Sequence, residues 1–253
     1  MTQAIWMQSY AVNTMVVNVQ KRLGLVGLLS ILQDVAWAHA DRLGHGYEAT
    51  MEKGAIWVLS RQKLVMTNWP IWRDELLVRT WVRPIRGPLV HRDYEMLIGD
   101  RKVGECTASW LTLDVKTRRP VRPAVAGAQL ECRSDGALAS TPEKIAVRED
   151  LAEATRFSVR NSDLDLNGHV NNTRYAQWIL DSAAFEAQRT VRVDRYEVNF
   201  LAEVQVGDAV AIESAPLEAP PKRATPLYFL GRRLSDGAAA FAALLGVVAV
   251  DTG

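Results

Sequence analysis

The segment from Asp163 to Tyr175 is dense in side chains that can do chemistry. It holds two carboxylates, three amide side chains and one imidazole within thirteen residues. An apolar run that includes Trp178 follows it. Polar groups so close together are costly to bury beside a helix unless each has a hydrogen-bond partner. The segment therefore predicts a functional site.

The order of residues within this segment predicts a helix start that could take part in catalysis. Asn167 stands where a helix N-cap is expected, ahead of a helix predicted from about Gly168 to Ala187. The first backbone N–H groups of such a helix are free and favour developing negative charge, as in an oxyanion hole. Gly168 would let a ligand approach the backbone, and His169 or Asp165 could orient water or move a proton.

Helix capping alone does not account for the segment. An Asx cap explains a single polar side chain. It leaves the other polar side chains near the cap without a role, namely Asp165, His169, Asn171 and Asn172. We therefore favour a site over a plain helix cap.

The surrounding pattern predicts two successive sets of elements that position this segment. In the first half, a strand near Ser9 to Val19 precedes a helix whose apolar face starts at Leu25 and which ends before Gly44. Four β-like segments follow, at about 55–67, 75–84, 89–99 and 101–114. The second half repeats this order, with a strand near 154–160, the helix from Gly168, and strands near 191–202, 209–214, 226–234 and 238–250.

This repetition predicts an α+β fold of two tandem units, each a long helix wrapped by a curved antiparallel sheet. Residues 116–150 contain several prolines and no clear periodicity, which is typical of a connection. We predict an N-terminal unit at 1–132, a linker at 133–150 and a C-terminal unit at 151–253. The polar segment then belongs to the second unit.

Composition narrows the classes of protein to which the chain can belong. Lys and Arg number 30 against 29 Asp and Glu, so a dedicated nucleic-acid binder is not expected. The two cysteines, Cys106 and Cys132, are typical of reduced thiols in a cytoplasmic protein. The N-terminal residues do not resemble a signal or transit peptide. The longest apolar run, Ala238 to Val250, is too short to span a bilayer.

The polar segment also resembles a known signature. Asp163-Leu-Asp-Leu-Asn-Gly-His-Val-Asn-Asn, with Trp178-Ile-Leu-Asp-Ser182, is similar to the acyl-acyl-carrier-protein thioesterases of plants and bacteria. Several first-half segments resemble the same family: Leu32-Gln-Asp-Val-Ala, Ile56-Trp-Val-Leu-Ser-Arg61, Trp69-Pro-Ile-Trp, Val78-Arg-Thr-Trp-Val82 and Arg92-Asp-Tyr. The resemblance implies a double hotdog fold, with the acyl chain bound in the N-terminal hotdog. It also implies hydrolysis of fatty acyl carrier protein thioesters in fatty acid biosynthesis.

The resemblance assigns catalytic roles to four residues, Asp165, Asn167, His169 and Glu203. Val204 stands where the plant proteins carry a cysteine, so a thiol nucleophile is impossible there and attack by water is expected. In our hypothesis Glu203, with His169, activates water, while Asn167 and a helix N–H hold the thioester oxygen. Asp165 would orient Asn167 or His169. The alternative makes Asp165 the direct nucleophile or base.

Further residues are predicted to contact the substrate or its carrier. The substrate-binding set is Gly168, Val170, Asn171, Asn172 and Trp178. A basic cluster could receive an acidic carrier protein, through Lys116, Arg118, Arg119 and Arg122. We expect acyl carrier protein as the partner and no metal, cofactor, nucleic acid or membrane, and we leave a homodimer open.

Other functions remain open at this stage. One is an acyl-CoA thioesterase of the hotdog class. Another is a hotdog hydratase or dehydratase, but its Asp-x-Asn-Pro-x-His signature differs from Asp165-Leu-Asn-Gly-His in the proline and in the spacing. A third is a non-catalytic acyl-binding module, which would bind an acyl ligand without releasing a thiol. The sequence does not specify the length or saturation of the acyl chain.

Overall fold

The computed structural model describes residues 4–123, 132–183, 190–215 and 226–249. The chain divides into two compact units, Met1–Pro142 and Glu143–Gly253. Each contains a mostly antiparallel sheet and few helices, so the predicted α+β class is confirmed. None of the helices within the described ranges is long and apolar enough to cross a membrane.

The first unit is an antiparallel sheet with a long helix. Its elements are β1 (Ile5–Ala11), α1 (Leu25–Arg42), α2 (Tyr47–Met51), β2 (Ala55–Met66), β3 (Glu75–Val82), β4 (Val90–Ile98), β5 (Arg101–Asp114) and β6 (Pro120–Val121). The strands lie in the order β1-β3-β4-β5-β2, and β6 pairs with β5. Four of these strands agree closely with the predicted segments, because their alternation of buried and exposed residues is visible in the sequence.

Helix α1 places its apolar face on the sheet. Leu28, Leu32 and Val35 recur every three or four residues and are fully buried. The helix contacts β1 and β3. Gly44, with a φ of 73°, turns the chain away from the helix, as the sequence predicted. The five-residue helix α2 was not predicted, since it is too short for a periodic signal.

The strand predicted from Ser9 to Val19 is wrong beyond Ala11. After β1 the chain forms a loop in which Asn18 Oδ1 accepts the backbone N–H of Gln20 at 3.0 Å and of Arg22 at 3.2 Å. Such local side-chain bonds compete with the ladder of a sheet. The apolar residues of this stretch therefore do not form a strand.

The second unit repeats the combination of sheet and helix. Its elements are β7 (Ala152–Ser158), a 3₁₀ turn (Asn161–Asp163), α3 (Asn172–Asp181), β8 (Val191–Phe200), β9 (Ala209–Ser214), β10 (Leu227–Arg233) and β11 (Ala239–Ala249). The strands lie in the order β8-β11-β10-β9-β7, all antiparallel. Helix α3 buries an aromatic face centred on Tyr175 and Trp178.

Buried polar side chains of each sheet hold part of the predicted linker. In the first unit, Asp93 accepts hydrogen bonds from Arg83 Nε at 2.5 Å, from Thr107 Oγ1 at 2.7 Å and from the N–H of Ala137 at 3.0 Å. The Asp93 side chain is 0% exposed. Ala137 lies within the range 133–150, so this part of the connection is bound to its sheet.

The second unit holds its own part of the connection in a similar way. Asn199 Oδ1 accepts the N–H of Ile145 at 2.7 Å, and Asn199 Nδ2 donates to the carbonyl of Glu143 at 3.0 Å. Glu197 Oε1 accepts the N–H of Glu143 at 3.2 Å. Side chains of β8 thus form the hydrogen bonds with the backbone of residues 143–145 that the backbone of a neighbouring strand would otherwise form.

Replacing Asp93 with Asn should destabilise the protein strongly. The substitution leaves the partly buried Arg83 guanidinium without its carboxylate, and removing one partner of a buried pair costs about 3 kcal/mol. Urea unfolding followed by circular dichroism would measure the change. Asp150→Asn is the matched control, because Asp150 pairs with Arg148 at the surface. Equal unfolding midpoints for the two variants would contradict the prediction.

Candidate active site

The loop that leads into helix α3 is braced first by Asp163. Its carboxylate accepts the backbone N–H of Arg160 at 2.8 Å and lies 3.5 Å from the guanidinium of Arg174. Its carbonyl accepts the N–H of Asn171 at 2.8 Å. These bonds join the start of the loop to its end. Asp163 is therefore a structural residue within the predicted segment.

Asp165 closes the loop on itself. Its Oδ1 accepts the N–H of Asn167 at 2.8 Å and the N–H of His169 at 3.4 Å. Its own N–H donates to the carbonyl of His169 at 2.8 Å, and its carbonyl accepts the N–H of Gly168 at 3.0 Å. Gly168 has a φ of 75°, and a Cβ there would meet no atom within 4 Å. Glycine is favoured at this position for its conformation, not for space.

His169 and Glu203 meet across two loops. His169 Nε2 lies 3.4 Å from Glu203 Oε2, and the two side chains are 25% and 37% exposed. The loops are paired by an N–H of Val170 that donates to the carbonyl of Val204 at 3.0 Å. An imidazole beside a carboxylate, both accessible to solvent, can take a proton from water. The structure thus brings together the two residues predicted to activate water.

Arg233 on β10 supports the loop that carries Glu203. Its guanidinium donates to the backbone carbonyl of Glu203 and forms an ion pair with Asp236 at 2.6 Å. Hydrogen bonds from Arg233 lower the pKa of Asp236 to about 2, so this pair stays ionised at neutral pH. Sequence analysis missed Arg233, because its bond to the site spans thirty residues and leaves no local pattern.

The predicted start of the helix is wrong. Helix α3 begins at Asn172, and its N-cap is Asn171, whose Oδ1 accepts the N–H of Thr173 at 2.9 Å. Asn167 lies in the preceding loop because Asp165 takes up the N–H groups of that loop. The predicted helix end at Ala187 lies outside the described residues.

The later start of helix α3 changes which N–H groups could form the predicted oxyanion site. The backbone N–H groups of residues 167–171 all donate to acceptors within the second unit. These N–H groups could donate to the oxygen of a thioester only if those hydrogen bonds were broken. The half-buried side-chain amide of Asn167 is one donor from the predicted set, and the N–H of Asn172 is now the first of helix α3.

The predicted substrate-binding residues fall into two groups. Gly168, Asn171 and Asn172 lie at the junction of the loop and helix α3, beside His169. Val170 and Trp178 are buried instead. The Trp178 ring stacks on Phe157, with 5.9 Å between ring centroids, and meets Tyr175 edge to face. Trp178 therefore packs the interior of the second unit.

The basic cluster lies on the turn between β5 and β6 in the first unit, with Arg122 directly after β6. Asp114 Oδ1 accepts the N–H of Lys116 at 3.1 Å and of Thr117 at 2.7 Å, and these bonds lower the pKa of Asp114. Lys116, Arg119 and Arg122 are exposed, while Arg118 is half-buried. The turn holds exposed cations in a fixed frame, as a docking surface requires.

Neither cysteine is suited to nucleophilic catalysis. Burial raises the pKa of the Cys106 thiol, and that of Cys132 is raised for the same reason. Both are free thiols far from the reactive thiolate state. Within the described ranges, no three His, Cys, Asp or Glu residues are grouped so as to hold a metal ion.

The fold is shared with solved acyl-ACP thioesterases. An enzyme from Bacteroides thetaiotaomicron matches with a TM-score of 0.85 and 23% identity, over 97% of this chain and 98% of that one. The 12:0-ACP thioesterase from Umbellularia californica matches with a TM-score of 0.85 and 15% identity, over 99% of each chain. Together with the sheets and helices described above, these likenesses define an α+β, hotdog-like fold.

Sequence comparison defines the family. The model of the acyl-ACP thioesterase N-terminal domain matches residues 3–125, and that of the C-terminal domain matches residues 147–229. The chain belongs to the acyl-ACP thioesterase family, as its motifs predicted.

Curated relatives are plant proteins. The chain is 31% identical to the chloroplastic palmitoyl-acyl carrier protein thioesterase of Gossypium hirsutum over 71% of its length. It is 28% identical to the chloroplastic oleoyl-acyl carrier protein thioesterase of Coriandrum sativum over 83%. The matched parts make up 47% and 62% of those proteins, so the chain spans about half of their length.

Replacement of Asp165 should separate its role in the loop from a role in acid–base chemistry. Asp165→Asn keeps an Oδ1 acceptor for the two N–H groups, whereas Asp165→Ala removes it. We expect the Asn variant to keep a hydrolysis rate within about tenfold of the native protein, and the Ala variant to lose about a hundredfold. Steady-state rates with an acyl thioester would show this. An Asn variant as slow as the Ala variant would favour Asp165 as nucleophile or base.

Proposed function

We propose that this protein hydrolyses fatty acyl thioesters of acyl carrier protein, releasing free fatty acid and holo-carrier protein in fatty acid biosynthesis. The observation that carries the proposal is the 3.4 Å contact between His169 and Glu203 on a braced loop. Membership of the acyl-ACP thioesterase family supports it, as do the activities by which the plant relatives are named.

The proposal includes the two-unit organisation. We infer two tandem hotdogs at 1–132 and 151–253, joined through 133–150, with acyl-chain binding in the first and catalysis in the second. The division into two compact units supports this, as does the presence of a sheet and a helix in each.

The chemistry follows from the site. Glu203 polarises His169, and His169 takes a proton from a water molecule as the water oxygen attacks the thioester carbon. The Asn167 side-chain amide donates to the carbonyl oxygen as negative charge develops on it. The carbon–sulfur bond then breaks, and the proton held by His169 passes to the departing thiolate. Val204, buried beside Glu203, provides no thiol for a covalent route.

The partner and location are part of the same proposal. The partner is acyl carrier protein, with no role for nucleic acid or membrane, and a homodimer is left open. A cytoplasmic location is supported by the two free thiols. The chloroplastic location of the plant relatives belongs to those proteins.

A thiol-trapping assay with acyl carrier protein substrates of varied chain length tests the proposal directly. Release of one thiol for each fatty acid would support it. Faster release from acyl-CoA would favour an acyl-CoA thioesterase. A change in an enoyl or hydroxyacyl substrate without thiol release would point to a hydratase, and tight binding without turnover to an acyl-binding module.

Glu203→Gln should lower kcat by about a hundredfold or more, because the amide cannot draw the proton toward His169 as a carboxylate does. The variant keeps the shape of the side chain, so KM should change little. Glu153→Gln is the control, since Glu153 pairs with Arg156 at the surface of β7. Nearly full activity in Glu203→Gln would rule out its part in activating water.

Charge reversal in the basic turn should affect carrier-linked substrate alone. Arg119→Glu with Arg122→Glu removes two exposed cations from the β5–β6 turn, which should raise KM for acyl carrier protein several-fold. Acyl-pantetheine has no carrier protein, so its kcat/KM should stay unchanged. An equal loss with both substrates would contradict a docking role for this turn.

A further inference from the structure

The loop before α1 repeats the hydrogen bonds of the loop before α3. Asn18 Oδ1 accepts the N–H of Gln20 at 3.0 Å and of Arg22 at 3.2 Å. The Asn18 N–H donates to the carbonyl of Arg22 at 2.7 Å, and the Asn18 carbonyl accepts the N–H of Lys21 at 2.9 Å. Asp165 makes the same four bonds in the second unit.

The loops that face these two also correspond. In the first unit, the N–H of Leu23 donates to the carbonyl of Pro70 at 2.8 Å, as Val170 donates to Val204 in the second. The N–H of Ile71 donates to Asp74 Oδ2 at 2.8 Å. In the second unit, the N–H of Gln205 donates to Asp208 Oδ2 at 3.0 Å in the same way. The first unit therefore keeps the backbone frame of the active site.

The side chains on this frame have different chemistry. The first-unit residues at the positions of Asp165, Asn167, His169 and Glu203 are, in that order, Asn18, Gln20, Arg22 and Trp69. An amide, a second amide, a guanidinium and an indole replace the carboxylates, amide and imidazole. None of these four can accept a proton from water near neutral pH. The first unit therefore has the same backbone hydrogen bonds as the active-site loops but no side chain at these positions that could act as a base.

Two cations occupy positions that favour glycine. Lys21 has a φ of 56° and Arg73 a φ of 78°, in the left-handed region that side chains disfavour. The matching residues of the second unit are Gly168 and Gly207, with φ values of 75° and 91°. Glycine would relieve the strain in the first unit. A long cationic side chain at a strained backbone position indicates that the side chain has a function.

The same loops expose an apolar and basic surface, which we call the first-unit loop surface, formed by residues 13–22 and 71–73. Its exposed apolar side chains are Met15 at 88%, Val19 at 65%, Ile71 at 51% and Trp72 at 40%. Its cations are Lys21, Arg22 and Arg73, and neither stretch contains an acidic residue. The Arg73 guanidinium lies 4.3 Å from the Trp72 ring centroid.

We propose that the first-unit loop surface, in addition to the basic turn at residues 116–122, docks the acidic carrier protein of the substrate. Exposed apolar side chains with a rim of one charge are typical of a protein interaction site. Its positive charge complements an acidic partner and would steer its approach. The inference rests on the proposed function, because carrier protein is the macromolecule that the enzyme must meet in every turnover. The loops of the second unit then carry out hydrolysis, and the matching loops of the first unit bind the carrier protein.

The test replaces the strained cations with glycine. Lys21→Gly with Arg73→Gly removes two charges while suiting the local backbone, so the melting temperature should stay the same or rise. KM for acyl carrier protein should rise about tenfold, and its dependence on salt should weaken. The kcat/KM for acyl-pantetheine should not change. Arg101→Ser with Arg195→Ser, two exposed arginines elsewhere on the chain, is the charge-matched control.

Direct binding separates this inference from the proposed function. Fluorescence anisotropy with labelled holo-carrier protein measures docking without turnover, and the glycine variant should bind about tenfold more weakly than the native protein. Equal binding and an unchanged KM would overturn the inference. Absence of thiol release from both substrates by the native protein would reject the proposed function alone.

A membrane surface is the rival occupant. Sedimentation with vesicles of phosphatidylcholine and phosphatidylglycerol should leave the native protein in the supernatant. Vesicle binding that the glycine variant loses, with an unchanged KM for acyl carrier protein, would show that the first-unit loop surface binds lipid and would overturn the inference.

Discussion

One backbone hydrogen bond, from the N–H of Val170 to the carbonyl of Val204, joins the two loops that carry His169 and Glu203. Neither loop has a strand or helix of its own to fix it. The bond sets their register, and the side chains of Asp163 and Asp165 fix the shape of the first loop. The imidazole and carboxylate meet because these carboxylates accept backbone N–H groups. Much of the polar density of the segment therefore has a structural role.

The fold was largely predictable where residues repeat with a period. The strands from β2 to β5 and from β8 to β11 alternate buried and exposed side chains, and α1 repeats its leucines every three or four residues. Prediction failed where a single side chain decides the path of the chain. Asn13 Oδ1 accepts the N–H of Met15 where the predicted strand would have continued, and Asp165 holds the loop that precedes α3, which begins four residues later than predicted. No periodic signal marks such a residue.

The site was predictable to a similar degree. The resemblance indicated both His169 and Glu203, and the structure places them in contact. The predicted helix start was wrong, because a sequence cannot show which of Asn167 and Asn171 caps the helix. Both are asparagines, and they lie four residues apart in the same polar segment. The structure decides between them, because Asp165 accepts the N–H groups of Asn167 and His169 and so holds Asn167 in the loop.

Part of the connection between the units is held by hydrogen bonds to its backbone. Asp93, Glu197 and Asn199 bind the backbone of residues 137–145 through N–H and C=O groups, not through its side chains. Every amino acid except proline offers the same pair of groups. A residue such as Ala137, held here through its backbone, could therefore change while this hydrogen bond remains. Ile145 is also buried in the core of the second unit, so its side chain is constrained as well. A further constraint falls on three distant strand positions, where a change would release these hydrogen bonds whatever the sequence of the stretch.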